Sequence, residues 1–424
     1  MPTTAPPADD SAEPALARRL TLPDAIVIGL SSMIGAGVFA VWAPAAQAAG
    51  PGLLLGLLVA GAVALCNATS SAQLAAQFPH AGGSYLYGRQ LLGEWPGFLA
   101  GWSFVVGKTA SSAAMALTFS AYAVPTPWQK PVAVAAVVAL AVVNSLGVTR
   151  TVAIARVSVT IALVALAVAA TIGFTHPLPT ARAMPWDGNP GGVLQSAGLL
   201  FFAFAGYARI ATLGEEVVEP ARTIPRAVAI SLALVLVAYL TVGLAALGSL
   251  GAPALAASTA PLADVAALAS WGWAVPLVSI GAAAAALGAL LAMIAGIGRT
   301  SLAMARTGDL PGWFGAVHPR FGVPHRAELG VGAVVAALVV LTDLRGAIGF
   351  SSVGVLLYYL VANAAALRQA AENRLYPRLL AALGVVGCVV VMASLPTDSV
   401  VAGLTMVAAG VGYRWARRHL TRQR

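Results

Sequence analysis

Apolar residues run along this chain in stretches of about 20, parted by short clusters of charged and turn-forming residues. A strand would alternate with period two and a surface helix would show a one-sided stripe, whereas continuous apolar runs of about 18 or more residues have the length that crosses a bilayer as a helix. Twelve such runs are predicted, near 22–48, 52–77, 96–123, 131–148, 155–174, 192–216, 226–250, 272–305, 327–342, 346–366, 378–395 and 399–415. The expected fold class is therefore an all-α integral membrane protein with about 12 transmembrane helices. Residues 1–20, rich in Pro and Ala with Asp9, Asp10 and Glu13, lack the basic start of a signal peptide and are expected to form a disordered tail. Residues 416–424 form a short basic one.

Composition supports this pattern. Of 424 residues 59% are hydrophobic and 9% charged, against roughly 25% charged in soluble domains, which excludes most soluble enzymes. The formal charge of +9 would suggest nucleic acid in a soluble protein, but its distribution gives another cause. With twelve spans both termini share a side, and nineteen of the 24 basic residues fall on that side, with only Lys130, Arg182 and Arg345 opposite. This is the positive-inside asymmetry of a multi-pass protein with both termini cytoplasmic, in the plasma membrane and with no nucleic-acid partner. Cys66 and Cys388 lie separately in apolar runs, so neither a disulfide framework nor a metal cluster is expected. No nucleophile–base arrangement occurs in the spans, which argues against an enzyme, and no bound cofactor is expected.

Two spans contain their own interruptions. Span one reads Gly29-Leu30-Ser31-Ser32-Met33-Ile34-Gly35-Ala36-Gly37-Val38-Phe39, and span six Phe201-Phe202-Ala203-Phe204-Ala205-Gly206-Tyr207-Ala208-Arg209. Glycines in membrane helices often serve close packing, and either segment alone fits that explanation equally well. Their placement favours unwinding, because spans one and six are corresponding members of two five-span halves, the pattern of an inverted-repeat transporter. An unwound pair needs a polar occupant, since freed N–H and C=O groups in hydrocarbon each cost several kcal/mol. A half-helix N-terminus suits an anion and freed carbonyls suit an ammonium, so a zwitterionic amino acid matches both.

Four stretches carry a family resemblance: Gly29 to Phe39; Phe78-Pro79-His80-Ala81-Gly82-Gly83-Ser84-Tyr85-Leu86-Tyr87 continuing to Trp102; Phe201 to Pro225; and Ser301 through Leu310-Pro311 to His318-Pro319-Arg320. In that order the chain resembles the amino acid–polyamine–organocation superfamily, specifically bacterial amino acid permeases near the cationic amino acid transporter branch. The resemblance implies a leucine-transporter-type fold. Its transport core would occupy 21–366, as inverted repeats of about 21–174 and 192–366 with helices 1 and 6 broken, followed by two additional helices over 367–415. It also implies a substrate carboxylate at the backbone of Gly35, Ala36 and Gly37, an amine at carbonyls near Met33, Phe202 and Ala205 beside Gly206, and Phe202 as an aromatic gate. Tyr207 is a further gate candidate or a packing or lipid-facing aromatic. Ala81 to Gly93 would form a reentrant or surface helix.

Two basic residues remain inside spans. Lys108 lies about 18 Å along span three, near the midplane, with Ser103, Thr109, Ser111 and Ser112 around it. It is either a proton-binding or substrate-contacting amine, or a structural lysine on carbonyls. Arg209 either reaches a substrate carboxylate or pairs with Glu215 or Glu216; these two with Glu219, Arg222 and Arg226 form an inner gate or a solvated cluster. Some proton-coupled relatives carry a lysine mid-way along helix five, where Ala165 stands here. Sodium-coupled relatives use hydroxyls on helix eight, where Gly281 to Leu287 offers none.

The expected function is a secondary active transporter of amino acids, working by alternating access across the lipid bilayer and driven by a proton gradient rather than sodium. Because Asp and Glu avoid the span interiors, a neutral substrate is favoured over a cationic one. The alternatives are an exchanger or facilitative carrier, and, from a different class, a non-transporting sensor or assembly subunit.

Overall fold

The structure is a computed structural model, which describes residues 20–78, 82–147, 151–179, 188–211 and 216–422. The expected N-terminal tail and Glu215 lie outside the described residues.

Helices make up nearly all of the described chain. In order they are α1 (Leu22–Met33), α2 (Gly37–Ala40), α3 (Trp42–Ala49), α4 (Leu53–Gln77), α5 (Gly83–Leu92), α6 (Glu94–Ala123), α7 (Thr126–Ser145) and α8 (Thr151–Thr175). The second half contains α9 (Pro190–Phe204), α10 (Ala208–Ala211), α11 (Pro220–Ala257), α12 (Pro261–Ala267), α13 (Ala274–Arg306), α14 (His325–Leu341), α15 (Leu344–Arg368), α16 (Arg378–Ala393) and α17 (Thr397–Arg422). Over the described residues each predicted apolar run coincides with one helix or with a series of helices separated by short breaks. The stretch expected to be reentrant or surface-lying is α5, set off from α6 by Gly93 at φ 101°, a left-handed conformation that glycine adopts without a Cβ clash.

Among the described residues eight helical segments are long and apolar enough to cross a membrane, or nine if α16 and α17, bent by 116° at their junction, count as one. The protein is thus a multi-pass membrane protein. The other predicted spans fall short for local reasons. Lys108 and several hydroxyl residues interrupt the apolar run of α6, and α14, with 17 residues, rises about 25 Å.

Large exposed side chains such as Leu234, Val237, Leu379 and Leu404 face outward, as a lipid-contacting surface requires. The interior is built from α4, α6, α9 and α15, and small residues set its spacing. A Cβ on Gly107 of α6 would lie 3.0 Å from the Cα of Gly354 on α15, so these backbones touch and stay close only while both positions lack side chains. Helices before residue 180 pack on helices after residue 188: α3 on α9, α4 on α11, α6 on α13 and α7 on α14.

Two broken helices at a candidate substrate site

The first interruption falls at Ile34–Ala36, between α1 and α2. Ser31 and Ser32 both donate their hydroxyls to the Ile28 carbonyl, at 2.9 and 2.8 Å, a bond that bends helices. Beyond the break the chain re-enters helix at Gly37, and Pro44, which has no N–H to offer the Ala40 carbonyl four residues back, accounts for the bend at Val41. The second interruption is a single 3-10 turn, Ala205–Tyr207, between α9 and α10.

The two breaks meet backbone against backbone. A Cβ on Gly206 would collide with the Ser32 carbonyl, and one on Gly37 would lie 2.7 Å from the Cα of Ala203. Glycine is therefore required at both positions by proximity alone.

The carbonyls released by unwinding have donors from neighbouring helices. The Tyr239 hydroxyl of α11 is shared between the Met33 carbonyl at 2.6 Å and the Ala203 carbonyl at 3.0 Å. On the other break the Ala205 carbonyl accepts from Lys108 Nζ at 3.3 Å and from the Tyr359 hydroxyl of α15 at 3.3 Å. The Lys108 side chain is only 5% exposed, so a mid-span amine and a freed carbonyl satisfy each other in the interior.

Between the breaks lies a cavity of about 20 Å³, room for one water. Met33, Gly35, Ala36, Gly37, Phe202 and Gly206 line it, and Lys108 closes one side. Ser32, Ala203, Ser111, Met115 and Met293 complete the wall; Ser111 is hydrogen-bonded to Ser351 of α15. Among the described residues no carboxylate lines this cavity. Its walls are one amine, two serines, open backbone and flexible apolar side chains, an arrangement able to take a small zwitterion once the methionines and Phe202 move aside.

Other sequence-selected residues are placed differently. Ala205 holds its carbonyl on Lys108 and Tyr359 rather than on the cavity. Tyr207 is fully buried and stacks on Tyr359 with ring centroids 4.9 Å apart, a packing position rather than a lipid-facing one. Arg209 is half-buried, within electrostatic reach of Glu216 and of Arg299 on α13. Glu219 and Arg222 form an exposed pair at 3.6 Å, and Glu216 contributes its backbone carbonyl to the Leu20 N–H. Ala165 of α8 packs against Gly281 of α13. The α13 side chain nearest Gly35 is Ala289, whose Cβ would be 2.9 Å from a Cβ there.

Sequence reasoning missed Tyr239, Tyr359, Met115 and Met293. The tyrosines carried a usable signal, since a hydroxyl deep in an apolar span needs an acceptor; the methionines, ordinary core residues, carried none.

The amino acid permease family model matches residues 20–412. An uncharacterized transporter of Mycobacterium tuberculosis is 55% identical over 410 residues, covering 96% of this chain and 93% of the relative. A branched-chain amino acid permease of Bacillus subtilis is 26% identical over 379 residues, 84% of this chain and 81% of the relative. The chloroplastic cationic amino acid transporter 7 of Arabidopsis thaliana is 27% identical over 384 residues, 83% and 65%. With a family model covering nearly its whole length and two meeting helix breaks at its centre, this chain is a transporter rather than an enzyme, and belongs to the amino acid permease family of the amino acid–polyamine–organocation superfamily.

Proposed function

We propose that the protein carries neutral amino acids across the bacterial plasma membrane by alternating access, coupled to protons, on a twelve-span leucine-transporter-type fold with both termini cytoplasmic. The observation that carries this is the cavity between the two breaks. Backbone from Gly35 to Gly37 receives the substrate carboxylate there, carbonyls near Met33 and Phe202 receive the amine, and Lys108 stands at the wall. The pairing of corresponding helices across the halves, α4 with α11 and α6 with α13, supports the inverted repeat over about 21–174 and 192–366. Residues 367–415 then add two helices outside it.

A neutral side chain fits best because the lining side chains include Met115, Met293 and Phe202, and the one charge among them is the Lys108 amine. A cationic side chain would meet that amine with no carboxylate among the described lining residues, at a cost of several kcal/mol. Of the two substrate classes in the relatives' names, branched-chain rather than cationic amino acids suit these walls.

Proton coupling is favoured over sodium for two reasons. Alanine faces the first break from α13 where a hydroxyl ligand for sodium would stand. Lys108 also has a ready two-state role: protonated, it holds the Ala205 carbonyl, and on losing its proton it loosens that tie and frees the second break to move. An obligatory exchanger or facilitative carrier is the competing mechanism.

Uptake of labelled leucine into proteoliposomes tests the proposal. Accumulation driven by an inward proton gradient, absent with a sodium gradient alone and insensitive to excess arginine, is expected. Uptake that occurs only into vesicles preloaded with amino acid would establish the exchanger instead.

A further inference from the structure

The largest charged cluster lies away from the helix breaks, where α17 meets α5, the start of α6 and the segment after α13. Asp309, just beyond α13, is 7% exposed and takes Arg89 of α5 at 2.8 Å and Arg414 of α17 at 3.4 Å. The Tyr85 hydroxyl donates to the same carboxylate at 2.8 Å. Glu94, the first residue of α6, takes Arg414 at 3.5 Å and also pairs with Arg418.

A cavity of about 330 Å³ opens among these groups, walled by Arg89, Arg414, Arg417 and Arg418 against only Glu94 and Asp309. Four guanidinium groups on two carboxylates leave two positive charges in excess. Arg414 is 5% exposed, yet its Nε has no hydrogen-bond partner, a buried donor that ordinarily costs about 1–3 kcal/mol or more when charged. The rim is accessible, since the Arg418 and Glu94 side chains are 41% and 59% exposed.

We infer that this pocket is a binding site for a phosphate-bearing anion, which bridges the α17 arginines to Arg89 and so clamps the last helix to the α5–α6 elbow. Planar guanidinium groups match phosphate oxygens in pairs. Phospholipid headgroups and soluble phosphates share this chemistry. The aromatic setting places the pocket at headgroup level: the guanidinium of Arg414 lies 5.0 Å from the Trp95 ring centroid and that of Arg418 5.2 Å from it, and Trp415 on the same stretch of α17 is 59% exposed.

The test is a thermal titration of the full chain in detergent with phosphatidylglycerol, phosphatidylcholine or inorganic phosphate. Phosphatidylglycerol is expected to raise the melting temperature saturably while phosphatidylcholine does not. Arg417→Gln and Arg418→Gln, made separately, should each raise the half-saturating concentration about tenfold, the loss of one charge-assisted contact. Arg320→Gln, in an exposed loop, should titrate like the native chain. Inorganic phosphate that reproduces the shift and competes with the lipid would identify a soluble phosphate as the occupant; phosphate without effect would identify the lipid headgroup. An equal shift with phosphatidylcholine, no shift with any probe, or unchanged titration in both pocket variants would overturn the assignment.

Discussion

The two helix breaks do the same structural work with different chemistry. At the first, the freed Met33 carbonyl is met by a neutral hydroxyl, Tyr239, which also holds Ala203 and so ties the two breaks together. At the second, the freed Ala205 carbonyl is met by a hydroxyl, Tyr359, and by a cation, Lys108. The first tie is made by hydroxyl and carbonyl groups alone and carries no formal charge. An amine can gain or lose a proton, and the proposed coupling assigns the response to a gradient to this second tie. Under the proposed mechanism the first break is the fixed frame and the second the moving part.

Substitutions can separate these roles. The largest effect on stability is expected from Gly206→Ala, where the new methyl overlaps the Ser32 carbonyl; overpacking of this kind costs about 1–3 kcal/mol or more, and both melting temperature and uptake should fall. Tyr239→Phe comes next. It removes one donor shared by two buried carbonyls, a loss of about 1–3 kcal/mol without the steric overlap that Gly206→Ala adds. Its melting temperature should fall while any remaining uptake keeps its proton dependence. The smallest effect is expected from Tyr359→Phe, because Lys108 still donates to Ala205: about 0.5–1.5 kcal/mol, with near-native substrate affinity. Equal losses in the two tyrosine variants would dissolve the contrast between the breaks.

Much of this layout was legible in the sequence because membrane helices announce themselves by length. The breaks were also legible, since Gly35, Gly37 and Gly206 stand in otherwise apolar runs of the first and sixth predicted spans. Lys108 was conspicuous as a charge in span three, and its burial follows from the cost of exposing it to lipid. What holds the breaks was not legible. Tyr239 and Tyr359 lie 206 and 154 residues from the carbonyls of Met33 and Ala205; a hydroxyl in an apolar run signals that it needs an acceptor, but nothing local in α11 or α15 says which one. Tyr207 was ambiguous for the same reason, as only the fold shows it stacked on Tyr359. The arginine cluster read simply as positive-inside charge, because the carboxylates that organise it, Glu94 and Asp309, sit more than 200 residues apart in the chain.

Lys108→Ala tests the central claim most directly. Reconstituted with an inward proton gradient, the variant should lose accumulation of labelled leucine above equilibrium while retaining exchange against internal leucine, because the backbone proposed to bind substrate is intact and only the proposed proton-responsive tie is gone. Gradient-driven accumulation equal to that of the native protein would contradict the assignment of coupling to Lys108.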